Sequence, residues 1–219
     1  GGDSIVAIQL VNHARERGVS ITPREVFSLR TAEAIAKAQQ GRAAVLVDEH
    51  DVAIGDVDPS PIIARTQANL GSAIAGFHQS VLLRVPADFT LEQARVALSA
   101  VVERHDALRA RLARDDRWTL TVPSVSPLPD VVHEIATEHI DDDVVRRAST
   151  EAVGGLDPDH GAMVQAVLIR VDGQPGRLLV VGHHLVVDGV SWRVIVEDVA
   201  RAGLAAMAGA EPELAPVGT

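Results

Sequence analysis

The chain has 219 residues, 47% of them hydrophobic but only 2% aromatic, with no tyrosine and no cysteine. That apolar share is enough for a core, built of necessity from Val, Leu, Ile and Ala, while the missing thiols exclude disulfides, thiolate metal centres and a cysteine nucleophile. A formal charge of -10 without clustered Lys and Arg argues against a nucleic-acid partner. No apolar run approaches the about 18 residues of a membrane span and no signal peptide is visible, so neither a membrane partner nor export is expected, and the cytoplasm is the default location.

The length suggests one to two domains. Residues 4–17 predict a helix, with Asp3 or Ser4 to cap it, Gly18 to close it, and Ile5, Ile8 and Val11 on one broad apolar face. Thr22-Pro23-Arg24-Glu25 is a helix start with proline at the first helical position, and another short helix opens at Thr31. Residues 41–60 read as a linker, because Asp48, Asp51, Gly55, Asp56, Asp58 and Pro59 break any periodicity. From Phe77 the pattern becomes mixed. A strand is expected over residues 80–85, and Thr90 with Gln93 forms a capping box ahead of a helix carrying Ala94, Leu98 and Val101. Residues 108–112 and 118–122 suggest a hairpin across Asp115-Asp116, and residues 123–130 a proline-rich loop. Residues 141–152 read as a helix whose acidic start, Asp141-Asp142-Asp143, suits the helix dipole better than a metal site. Two strands follow, over residues 163–171 and 178–183, and then a long helix over residues 191–208. Strands and helices mix without strict βαβ alternation, which predicts an α+β layered fold.

Chemistry concentrates in residues 183–192, HHLVVDGVSW. Adjacent residues on a strand face opposite sides, so one histidine of the pair is free for chemistry and the other is packed. His184 is the candidate acid/base, since a neutral imidazole takes and returns protons near neutral pH; His183 is read as structural. Asp188 reads either as a second acid or, preferred, as a structural carboxylate buried under the turn it makes with Gly189 and needing a paired cation. Trp192 is either core or the wall of a channel, core being the better reading for a lone tryptophan. His105 and Asp106 are adjacent and do not face each other, so both are taken as structural. Ser4, at a helix start, is either a simple cap or a modification point.

The pattern HHxxxDG resembles the signature of the condensation-domain superfamily of nonribosomal peptide synthetases, which is similar in fold to chloramphenicol acetyltransferase. The fuller HHLVVDGVSW looks most like the epimerization branch. FHQSVLL at residues 77–83 resembles an early strand of epimerization domains, and RHDALR at residues 104–109 resembles the superfamily's second motif. GGDSI at residues 1–5 resembles the pantetheine-attachment motif of a peptidyl carrier, in the variant found before epimerization domains. Residues 61–67 depart from the superfamily's first motif in lacking its aromatic pair.

The resemblance implies a partial peptidyl carrier over residues 1–40, a linker over 41–60, and the N-terminal lobe of an epimerization or condensation-type domain over 61–219. It implies 4'-phosphopantetheine bound covalently to Ser4, an aminoacyl or peptidyl thioester on the carrier as partner, and other synthetase modules as neighbours. Neither a metal nor a redox cofactor is implied. The activity implied is conversion of the L-acyl group to its D form by His184. The alternatives are peptide-bond formation by a condensation domain, or a carrier-docking fragment without catalysis. In the superfamily the aspartate matching Asp188 sits in a salt bridge, with Arg109 as expected partner and Arg111 as substitute; Gly189 is expected to admit the pantetheine arm. The superfamily fold has two lobes, and the start at Gly1 and stop at Thr219 read as a piece of a longer polypeptide.

Overall fold

A computed structural model describes residues 6–7, 10–11, 13–14, 17–40, 54–57, 60–124 and 130–215, of which residues 70, 72 and 73 in backbone only. The chain divides into two compact units, one of residues 1–51 with 215–219 and one of residues 52–214.

In the first unit the residues described between Val6 and Ala14 are helical, and Ala7, Val11 and Ile21 are buried. Helix α1 (Pro23–Leu29) starts as the sequence predicts: Thr22 accepts from the Glu25 N–H and the Glu25 carboxylate accepts from the Thr22 N–H. It stops at Arg30, whose φ of 60° is left-handed. Helix α2 (Ala32–Gln39) is capped by Thr31.

The second unit begins where a linker is expected, yet Gly55–Val57 is a strand, β1. Three residues among acidic and glycine neighbours give no periodic signal; the partner Trp118–Val122 (β4), with its alternating burial, specifies the pairing. With β3 (Arg111–Arg114) these form a three-stranded antiparallel sheet in the order β1-β4-β3. Helix α3 (Pro61–Leu70), which covers the stretch lacking the aromatic pair, ties to the β3–β4 turn through Gln67. Its amide donates to the Asp116 carbonyl and accepts from the Trp118 N–H. Ile63, Ile74, Leu112, Trp118, Leu120, Met163 and Leu185 make the core beneath.

The main sheet runs β2 (His78–Val85), β7 (Gln174–His183), β6 (Val164–Val171), β5 (Val132–Ala136), antiparallel except for β5–β6. Strand β5 lies just after the proline-rich loop and is missed by the periodicity, since only Val132 and Ile135 of its five residues are buried. One face is covered by α4 (Leu91–Arg104) and α6 (Ser191–Met207), where Leu98, Val101, Trp192 and Ile195 pack on Ala166, Leu168, Leu178 and Val180. The other face is covered by α5 (Asp142–Gly154), with Ala148 and Ala152 on Val167, Ile169, Leu179 and Val181. Burial on both faces explains why β6 and β7 read as unbroken apolar runs rather than alternating ones. The β6–β7 turn is tighter than the sequence suggests. Val171 already pairs with Gln174, leaving Asp172-Gly173 as a two-residue loop with Gly173 at φ 63°.

Candidate active site

Strand β7 ends by dividing its two histidines between its two neighbours. The His183 N–H donates to the Met163 carbonyl beside β6, and the His184 N–H donates to the Phe77 carbonyl ahead of β2, both at 2.8 Å. The chain then turns, with the N–H groups of Val186 and Val187 donating back to the His183 carbonyl.

The His183 ring is fully buried. Its Nε2–H donates to the Ile74 carbonyl at 3.0 Å and its Nδ1 accepts from the Leu185 N–H at 3.3 Å. One nitrogen must donate and the other accept, so the ring is neutral, and burial holds its pKa below the ordinary 6.5 despite the Ile74 hydrogen bond, which works the other way.

The His184 ring is half-buried and lies 4.6 Å, centre to centre, from that of Phe77. Its Nδ1–H donates to the Val187 carbonyl at 2.7 Å, while its Nε2 lies 3.3 Å from the Gln79 amide nitrogen. The Gln79 carbonyl oxygen in turn accepts from the Trp192 indole N–H at 3.1 Å. Gln79 and Trp192 therefore join the histidine, the second from the first turn of α6. Gln79 lies within the FHQSVLL stretch, which resembles a strand but does not single it out as a site residue; it is the polar residue two places after Phe77 on a strand that pairs with the histidine strand. Trp192 is both core and site. Gly182, opposite Gln79 in the β2–β7 register, makes room for this: a Cβ there would lie 2.9 Å from the Val187 Cγ2 and 3.4 Å from the Trp192 ring.

Asp188 departs from expectation. It is exposed, and Arg109 does not reach it. Instead the N–H groups of Val190 and Ser191 donate to its Oδ1 at 3.0 and 2.8 Å, the Ser191 hydroxyl donates at 2.8 Å, and the Asp188 N–H donates to that hydroxyl at 3.2 Å. The Trp192 N–H closes the turn onto the Asp188 carbonyl. Asp188 thus caps the helix start that becomes α6, a short-range task that the four-residue spacing from His184 conceals. The Ser191 N–H, then its hydroxyl, hold the Asp188 carboxyl below its usual range. Arg109 sits in a one-turn 3-10 segment (Asp106–Arg109), where it pairs with Asp106 and donates to the Glu103 carbonyl at 3.0 Å. The short turn puts residues three apart on one side, and that local carboxylate takes the cation. Arg111, also displaced from the expected pairing, lines with Arg95, Arg109 and Met163 a separate cavity of about 440 Å3. Gly189 is exposed, and a Cβ there would meet nothing within 4 Å.

His105 is structural, though not alone: its Nε2 lies 2.7 Å from the Asp198 carboxylate, a largely buried pair joining α4 to α6. Ser4 lies outside the described residues, two positions before the helical Val6. Among the described residues no three His, Asp or Glu side chains gather as a metal-binding set, and no helix is long and apolar enough to cross a membrane.

A family model described as the condensation domain matches residues 67–218, more than half of the chain. The chain belongs to the condensation-domain family. A second family model, the phosphopantetheine attachment site, matches residues 1–38. A phosphopantetheine-bearing segment therefore precedes a condensation-type domain of the nonribosomal peptide synthetase kind. The chain is 34% identical over 90% of its length to a linear gramicidin synthase from Brevibacillus parabrevis, and 33% identical over 90% to chondramide synthase from Chondromyces crocatus. It spans 3% and 5% of those proteins. Among solved structures it is similar to the epimerization domain from the third module of tyrocidine synthetase B, with TM-score 0.67 and 27% identity, covering 76% of this chain and 38% of that one. It shares its fold with the starter condensation domain of rhizomide synthetase, with TM-score 0.58 and 17% identity, covering 76% of this chain and 41% of that one.

Proposed function

We propose that this condensation-type domain serves epimerization of an L-aminoacyl or peptidyl thioester, with His184 as the group that moves the α-proton. The reading rests above all on the likeness to the tyrocidine synthetase epimerization domain, which is nearer in sequence than the starter condensation domain. In the proposed step the Cα–H bond breaks, its electron pair passes into the thioester as an enolate, and the proton goes to Nε2 of His184. A proton returned to the other face of Cα gives the D form, and the group that returns it is placed in the part of the domain that this chain does not span. Residues 1–40 are assigned to the carrier, with the catalytic lobe beginning near Ile54 and the linker correspondingly shorter. Ser4 is assigned as the attachment point, since a serine hydroxyl ahead of a helix suits a phosphodiester. When bound, phosphopantetheine supplies the flexible thiol that carries the acyl group. His183 holds the strand end, Asp188 sets the start of α6, and the open space at Gly189 leaves room for the arm.

Peptide-bond formation is the second reading, favoured by the family model and by the starter condensation domain. The two separate in deuterium oxide. A polypeptide extending this chain by the second lobe, loaded with an L-aminoacyl pantetheine thioester, is expected to incorporate deuterium at Cα and yield D product by chiral chromatography. No exchange, together with peptide formation when an acceptor thioester is added, would move the assignment to condensation. The chain without that extension is expected to give no D product.

A further inference from the structure

Gln79 lies on β2 opposite Gly182, and its side chain bridges His184 to the buried indole of Trp192. An indole N–H only donates, so the Gln79 atom facing it at 3.1 Å must be the carbonyl oxygen. This fixes the amide: its NH2 faces His184, and a donor there demands a lone pair on the Nε2 of the imidazole. The opposite nitrogen agrees, because the Val187 carbonyl, 2.7 Å away, accepts and so requires Nδ1–H. Three hydrogen bonds thus run in one direction, from Trp192 to Gln79 to His184 to Val187. We propose that Gln79 is a positioning residue that, oriented by Trp192, keeps Nε2 of His184 as the unprotonated nitrogen on the substrate-accepting side of the ring.

The packing supports this independently of the hydrogen bonds. Gly182 lies opposite Gln79, and any side chain at Gly182 would press on Val187 and on the Trp192 ring, the two residues that flank the network. The Phe77 ring also lies against the imidazole, tilted by 40° with ring centres 4.6 Å apart. The Gln79 contact, at 3.3 Å, is the longest of the three. It is therefore the one that a substrate Cα–H can displace at least cost, leaving Nε2 basic and aimed.

The inference rests on His184 as the proton-transfer group, but its test needs no turnover. Long-range proton–nitrogen correlation spectra of the 219-residue chain, with 15N-labelled histidine, report which ring nitrogen carries the proton; His184→Gln assigns the signals. The wild type is expected to show His184 as Nδ1–H only. Gln79→Glu replaces the donor by an acceptor, so its His184 is expected to be protonated on both nitrogens where the wild type carries one proton. Trp192→Phe frees the amide to rotate and is expected to give averaged tautomers. An Nε2–H tautomer in the wild type, or Gln79→Glu and wild-type His184 signals that coincide, overturns the proposal. Should Gln79→Glu fail to fold, the wild-type tautomer decides. In the polypeptide extended by the second lobe, Gln79→Leu should lower kcat up to about tenfold with KM unchanged, the size of one neutral hydrogen bond. Correct tautomers without α-proton exchange would spare this network and defeat the epimerization reading instead.

Discussion

His183 and His184 share a dipeptide and almost nothing else. The first is fully buried, with both ring nitrogens committed to backbone groups of fixed position. The second is half-buried, with one nitrogen committed to backbone and the other facing a side-chain amide. The difference comes from the pleat: a one-residue step rotates the ring from the packed space around Ile74 to the Phe77–Gln79 side of the strand. Backbone partners cannot be displaced without breaking the fold, whereas a side-chain amide can swing aside. A neighbouring pair of identical residues therefore divides, by the nature of its partners, into a half locked by backbone and a half whose partner can move.

Substitutions should separate the halves. His184→Ala is expected to lower α-proton exchange in the extended polypeptide by about 10²–10⁴-fold, the usual contribution of a general base, with the melting temperature unchanged. His183→Ala should do the reverse. It leaves a cavity and orphans the Ile74 carbonyl and Leu185 N–H, costing about 3 kcal/mol, which calorimetry would register as roughly 6–12 °C. Equal melting of the two variants would erase the distinction. Gly182→Ala pushes on Val187 and Trp192 and is expected to cost about 1–3 kcal/mol as overpacking, with lost activity exceeding that expected from the stability change. Asp188→Ala removes only a helix cap, about 1 kcal/mol; a loss of several kcal/mol on denaturant titration would restore the buried ion pair.

Acid gives the smallest and most selective handle. His183 has its pKa lowered in the folded state, so below 6.5 the unfolded chain takes up a proton that the folded chain refuses. The associated stability is present in full above that value and is lost as pH falls toward the lowered pKa. Asp130, held low first by Arg95, and Asp188, held low first by the Ser191 N–H, act in a separate window. Their contribution is present above 3.8 and lost as pH falls further. The fall in melting temperature just below neutrality should therefore vanish in His183→Gln while the lower one persists.

Where a signal is local, the sequence carries it. The capping pairs Thr22–Glu25 and Thr90–Gln93 sit where the residue types demand, and the strand pair on either side of Asp172-Gly173 follows from its apolar runs, although its turn is tighter than they suggest. The opposite fates of the histidine pair are legible from alternation alone. What escapes depends on partners distant in sequence. Strand β1 exists because Trp118–Val122 pairs with it, and β5 because Val164–Val171 does. Gln79 gains its meaning from a histidine and a tryptophan more than 100 positions away. Asp188 misleads for the opposite reason: its pattern suggests a long-range pairing where Ser191, three residues away, suffices.

That distance also governs how the protein is made. Among the described strands β2 lies at the edge of its sheet and meets β7 alone, with His78 opposite His183. A ribosome adding about 5–20 residues per second leaves β2 waiting roughly 5–20 seconds for its partner. Throughout that interval the stretch Val81–Leu83, of which Leu82 stays exposed even in the finished sheet, is an open strand edge on a nascent chain. The β6–β7 hairpin, closed by two residues, can form as soon as it emerges and offers the only template to which β2 is matched among the described strands. Synthesis speed between residues 85 and 174 should thus decide how much of the chain reaches its native register and how much is lost to aggregation.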